Sequence, residues 1–163
     1  MPRPAIERGR GTNRPSAALK QLSNLAFDLH ADQCRLDLGP QGTRILKELI
    51  AAADAGLRLS VVILAATLVD VCMHEAGQFD GLSLADGAES DDIRDEGFGM
   101  SYLTATERRQ LDSLRACRNA FVHYEGPVAG VSGSADDETA LAAAAEEALV
   151  AILPVLENLE RWG

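Results

Sequence analysis

The sequence predicts an all-α fold, an up-and-down bundle of four or five helices in one domain. Three observations carry this. Apolar residues make up 47% of the chain but aromatics only 4%, and alanine and leucine dominate, a mix that favours helix over strand. The apolar residues recur every three or four positions over long windows, the period of a helix with one buried face. Clusters of glycine and proline separate these windows. A length of 163 residues is enough for one domain with its own core.

Residues 1–14 are rich in Pro, Gly and Arg and have no apolar period. They read as a flexible basic arm. Residues 15–163 read as a single helical domain. Helix one is expected over residues 16–36, with Ser16 as cap and Leu19, Leu22 and Leu29 on its inner face. The run Leu38-Gly39-Pro40-Gln41-Gly42 breaks the pattern. Helix two is expected over 43–55, with Ile45, Leu46, Leu49 and Ile50 inward. Gly56 then reads either as a helix C-cap or as a glycine tolerated inside a longer helix. Helix three, residues 57–76, is apolar nearly all round, the pattern of a central helix or of one covering an interface. Residues 77–101 form a glycine-rich insertion, an acidic loop longer than compact domains usually carry. Helix four opens on a capping box, Thr104 with Glu107 three residues on, and stops near His123 because Gly126-Pro127 cannot continue it. Helix five, residues 136–161, starts with Asp136, Asp137 and Glu138, which complement the helix dipole. Pro154 should bend or split it.

The formal charge of −10 argues against a general nucleic-acid binder. The charge is uneven, however. Residues 86–96 carry six acids and one arginine, whereas residues 104–123 carry Arg108, Arg109, Arg115 and Arg118 against Glu107 and Asp112. Cys34, Cys72 and Cys117 have neither ligand spacing nor an even count, so a disulfide framework or a metal site is not expected. Cys72 and Cys117 fall in apolar helical patterns and read as small core residues. The longest apolar stretch, residues 59–69, is too short to span a bilayer. The first residues lack the apolar segment of a signal peptide. The expectation is a cytoplasmic protein with no membrane association.

Chemistry concentrates in the run Arg118-Asn119-Ala120-Phe121-Val122-His123-Tyr124-Glu125-Gly126-Pro127. Arginine supplies a permanent charge whose fork matches a phosphate. Histidine gives and takes protons near neutral pH. Together they are the smallest set of groups that can cleave a phosphodiester without a metal. On a helix, Arg118 and His123 stand roughly 140° apart, so one chain does not present them as a compact pair. Asn119 and His123 share a face, as do Arg115 and Arg118. The C-terminal end of a helix favours a cation at His123, which suits an acid or a phosphate contact. The simpler structural reading is that Arg118 and His123 only cap the helix or pair with a nearby carboxylate such as Glu125.

Arg118, Asn119 and His123 resemble the Arg-Asn-x-x-x-His form of the R-x4-6-H signature of the HEPN superfamily, helical domains found in many prokaryotic ribonuclease toxins and defence proteins. The resemblance implies a HEPN-like bundle that works as a homodimer. It also implies cleavage of RNA through the 2′-hydroxyl, with no cofactor. His123 would be the general acid or base, Arg118 would hold the phosphate and Asn119 would orient either. Arg115 and Tyr124 become candidates for binding RNA, and a cognate antitoxin becomes an expected partner. Some of these toxins carry a tyrosine two residues past the histidine where a partner enzyme attaches nucleotides. Here Tyr124 is one residue past and Glu125 takes the next place, so silencing by that route is not expected. A non-catalytic module of the same type, binding a nucleotide or a protein, is the alternative. Asp70 and His74, four residues apart on helix three, are further candidates: an acid there can pair with Arg118 or His123 and orient it. Their simpler reading is a polar pair at the edge of a buried helix.

Overall fold

The computed structural model describes residues 15–28, 33–34, 36–79, 103–123, 128 and 130–162. The basic arm, most of the acidic insertion, Tyr124 and Glu125 lie outside the described residues. Within them the chain is an all-helical bundle. Helix α1 spans Ala17–Ala26, α2 Gly39–Asp54, α3 Arg58–Phe79, α4 Ala105–His123 and α5 Asp137–Trp162. A two-residue antiparallel ladder, β1 (Phe27–Asp28) with β2 (Gln33–Cys34), sits between α1 and α2.

That ladder corrects the expected first helix. Ser16 caps α1, accepting a hydrogen bond from the backbone N–H of Leu19 at 3.1 Å, but the helix stops at Ala26, ten residues short of the expected end. Phe27 pairs with Cys34 and Asp28 with Gln33, so these four residues pair in an antiparallel ladder and do not continue the helix. Leu36 and Leu38 are buried as the chain enters α2.

Helix α2 starts four residues earlier than expected. Pro40 lies in its first turn, where the missing N–H is no loss and the fixed φ is already helical. Gly42 is buried there, and a Cβ at this position would come within 2.8 Å of the Leu38 Cβ. Only glycine lets the incoming chain fold that closely over the first turn. At the other end Gly56 is the helix cap. It has φ +72°; its N–H donates to the Ala53 carbonyl at 3.1 Å, and the Leu57 N–H donates to Ala52 at 2.8 Å. This pair of bonds is a Schellman motif, and it turns the chain directly into α3.

Helix α3 runs to Phe79 and so takes the first three residues of the expected insertion into its last turn. Its packing explains why it is apolar all round. It contacts α2, α4 and α5, and its interfaces with α2 and α5 are the largest in the bundle. Val62 and Leu68 are fully buried in one core with Leu46 and Leu49 of α2 and Ile152 and Leu156 of α5. Helix α1 closes the other side against α5, with Leu22 fully buried. The Gln21 amide donates to the Glu157 carboxylate at 2.8 Å. Helix α5 carries Pro154 in its interior without ending. By length and composition residues 137–159 would also suffice to cross a membrane, and 44% of the apolar window is buried in the bundle.

Helix α4 begins as its sequence requires. The Glu107 N–H donates to the Thr104 hydroxyl at 3.2 Å, and the Thr104 N–H donates back to the Glu107 carboxylate at 2.6 Å. Leu111 and Leu114 bury the inner face. The helix lies against α3 on one side and α5 on the other.

Candidate functional site

Arg118 lies seven residues after Leu111 and four after Leu114, on the stripe that faces α3. Its guanidinium is therefore carried into the α3–α4 seam. There an Nη atom donates to the Asp70 carboxylate at 3.1 Å, and the two side chains are 21% and 34% exposed. Asp70 is one turn before His74 on α3. Of the two readings of Asp70, the structure supports the interhelical one: its carboxylate holds Arg118. The Arg118 Nε is buried and has no hydrogen-bond partner. The pair is thus single-point and not bidentate, and the Nε that lacks a partner lies away from solvent.

Arg115 is half-buried one turn earlier. Together with Asp70 and Met73 it lines a cavity of about 20 Å³ between α3 and α4, about the volume that a single water occupies. His74 is exposed.

His123 is the last residue of α4 and is exposed, and Asn119 is half-buried one turn before it. One continuous helix carries Arg118 through His123, so the two side chains leave the helix on different sides. Arg118 and Asp70 are brought together, with Arg115 beside them. Asn119 and His123 form a second group on another face. Among the described residues no three His, Cys, Asp or Glu side chains are placed to hold a metal ion.

Two features escaped the sequence. One is a groove of about 930 Å³ between α4 and α5. Cys117 lines it, and this thiol is half-buried where a core residue was expected. Burial pushes its pKa up, and the nearby Glu147 carboxylate adds to the shift. The only signal for the groove was the alanine-rich start of helix five. The other feature is the turn before α5. The Asp137 carboxylate accepts from the Ser132 hydroxyl at 2.6 Å, the Ser132 N–H at 3.1 Å and the Gly133 N–H at 2.7 Å. These hydrogen bonds, that of the Ser132 side chain foremost, hold its pKa below the usual aspartate value. The acids at this helix start were expected to complement the dipole, and Asp137 also ties down the preceding turn.

Comparison with protein-family models, curated proteins and solved structures found no match. The functional reading therefore rests on the residues themselves.

Proposed function

We propose that this chain is a metal-independent endoribonuclease of the HEPN type, acting as a two-fold dimer in the cytoplasm as a toxin or defence effector under the control of a cognate antitoxin. The observation that carries the reading is the state of the motif's arginine. Asp70 reaches across from α3 to orient Arg118, whose side chain stays 21% exposed, on a helix that ends in an exposed histidine.

In the reaction, the RNA 2′-oxygen attacks the adjacent phosphorus and the bond from phosphorus to the 5′-oxygen breaks. His123 moves a proton, either taking one from the 2′-hydroxyl or giving one to the leaving 5′-oxygen. Arg118 balances the charge that builds on the phosphoryl oxygens, and Asn119 orients the imidazole or the phosphate. The products are a 2′,3′-cyclic phosphate and a 5′-hydroxyl, and DNA is resistant because it has no 2′-hydroxyl. The roughly 140° between Arg118 and His123 is the reason for invoking two copies, since a symmetry axis can unite groups that one helix separates.

A second reading is favoured by one observation. The Asp70 carboxylate already occupies part of the Arg118 fork, as in a module that binds a nucleotide or a protein without cleaving. Incubation with single-stranded RNA in the presence of chelator separates the two. Wild type is expected to give cyclic-phosphate ends, and His123→Ala to be slower by about 10²–10⁴-fold. Equal products from both proteins, or none from either, would remove the catalytic reading and leave the binding module.

A further inference from the structure

Cleavage through the 2′-hydroxyl needs two proton transfers. The 2′-oxygen loses a proton as it attacks phosphorus, and the 5′-oxygen gains one as it leaves. Attacking and leaving oxygens stand roughly in line across the phosphorus, so a base and an acid are needed on opposite sides of the phosphate. His123 is one such group. A second is required.

The described residues hold two histidines, His74 and His123. His123 is roughly 140° round α4 from Arg118. His74 is on the Arg118 side. It stands one turn beyond Asp70 on the same face of α3, and the Asp70 carboxylate accepts from Arg118 at 3.1 Å. Met73, the residue before it, lines the small α3–α4 cavity together with Arg115. Cys72 and Met73 are buried, whereas His74 is exposed, so His74 lies at the solvent edge of the seam into which Arg118 is carried. The Cβ atoms of residues four apart on a helix are about 5–6 Å apart. A diester held by the exposed part of Arg118 therefore comes within a side chain's reach of the imidazole. The other charged groups placed at this seam are Asp70 on α3 and Arg115 and Arg118 on α4. Asp70 is engaged by Arg118, and an arginine has no site to accept a proton. Histidine is the group there suited to take one.

We propose that His74 is the general base of the reaction, acting beside Arg118 and Asp70 of its own chain, and that His123 is the general acid. The C-terminal end of a helix suits His123 to the acid's part. His74 takes the proton of the 2′-hydroxyl as the 2′-oxygen bonds to phosphorus. His123 gives its proton to the 5′-oxygen as the bond from phosphorus breaks. Each turnover leaves His74 charged and His123 neutral, and proton exchange with water restores both. The inference rests on the ribonuclease reading and adds to it the proton acceptor that the reaction lacks.

Cleavage of single-stranded RNA in chelator is measured for wild type, His74→Ala and His123→Ala, each checked for an unchanged helical circular dichroism spectrum. His74→Ala is expected to lose about 10²–10⁴-fold in kcat, with KM near wild type. A second RNA carries sulfur in place of the 5′-oxygen at the bond that wild type cleaves. A thiolate leaves without a proton, because thiols ionise near pH ~8.5. On this RNA His123→Ala is expected to recover to within about 10-fold of wild type, while His74→Ala keeps its deficit. His74→Ala at the wild-type rate, a loss that falls in KM and not in kcat, recovery of His74→Ala on the sulfur substrate, or a His123→Ala deficit that persists there would each overturn the assignment and leave the ribonuclease reading standing. His123→Ala at the wild-type rate on ordinary RNA, or no cleavage by wild type, would overturn both. If His74→Ala loses its helical spectrum, His74→Gln takes its place with the same expected loss.

Discussion

At the scale of single residues, the Asp70–Arg118 pair decides how the motif is built. Both groups are partly desolvated, so removing either leaves a charge short of its partner in the α3–α4 seam. That asymmetry makes such pairs costly to break even where their net contribution is small. Asp70→Ala and Arg118→Ala are each expected to cost about 1–3 kcal/mol in urea unfolding. The double variant is expected to lose less than the two singles together, with a coupling near ~1 kcal/mol. Strict additivity would mean that the 3.1 Å contact is not energetically real in solution. This contact was half visible in the sequence. The helical period shows that Arg118 and His123 diverge, because both lie on one element and their angle follows from spacing alone. Which acid holds Arg118 depends on a residue 48 positions away. The sequence offers Asp70 both as a partner for Arg118 and as a neighbour of His74, and no local pattern chooses between them.

At the scale of elements, helix ends with their own side-chain chemistry were legible and ends set by tertiary pairing were not. Thr104 and Glu107 specify the start of α4 through two reciprocal hydrogen bonds within three residues, so the sequence alone locates it. The end of α1 is different. Leu29 and Leu36 prolong an apolar period past Ala26, yet the chain leaves the helix to pair Phe27 with Cys34. Periodicity cannot see the competing reversal because it scores the spacing of apolar side chains and not the pairing of backbone groups. Gly56 lay between: the residue signals a cap or a tolerated interruption, and only the hydrogen bonds to Ala52 and Ala53 choose the cap. The capping box provides the test at this scale. Thr104→Ala removes the acceptor for the Glu107 N–H and is expected to lower stability by about 1 kcal/mol, whereas Thr104→Ser, which keeps the hydroxyl, should stay near wild type. If both substitutions cost the same, the hydroxyl is not what fixes the start of α4.

At the scale of the whole molecule, the bundle is organised around α3 and α5, with α1 and α2 closing one side and α4 lying on the other. This arrangement follows from which helices are apolar on more than one face. The sequence marked α3 as such a helix, and its burial against three neighbours agrees. The α4–α5 groove was not legible, because alanine reads equally as a good helix former and as the floor of a cleft; only the separation of two packed helices distinguishes them. The same architecture makes α3 a test of burial at constant chemistry. Leu68 is fully buried and Leu59 is 41% exposed, in one helix and with one side chain. Leu68→Ala opens a cavity in the core and is expected to cost about 2–5 kcal/mol. Leu59→Ala removes the same atoms from a half-wet position with little cavity to leave, and a cost below about 1 kcal/mol is expected. The two urea midpoints, measured at equal m-values, report whether α3 sits at the centre of the bundle or at its edge. Equal losses at both sites would contradict the central placement, because both the transfer term and the cavity term are larger at Leu68.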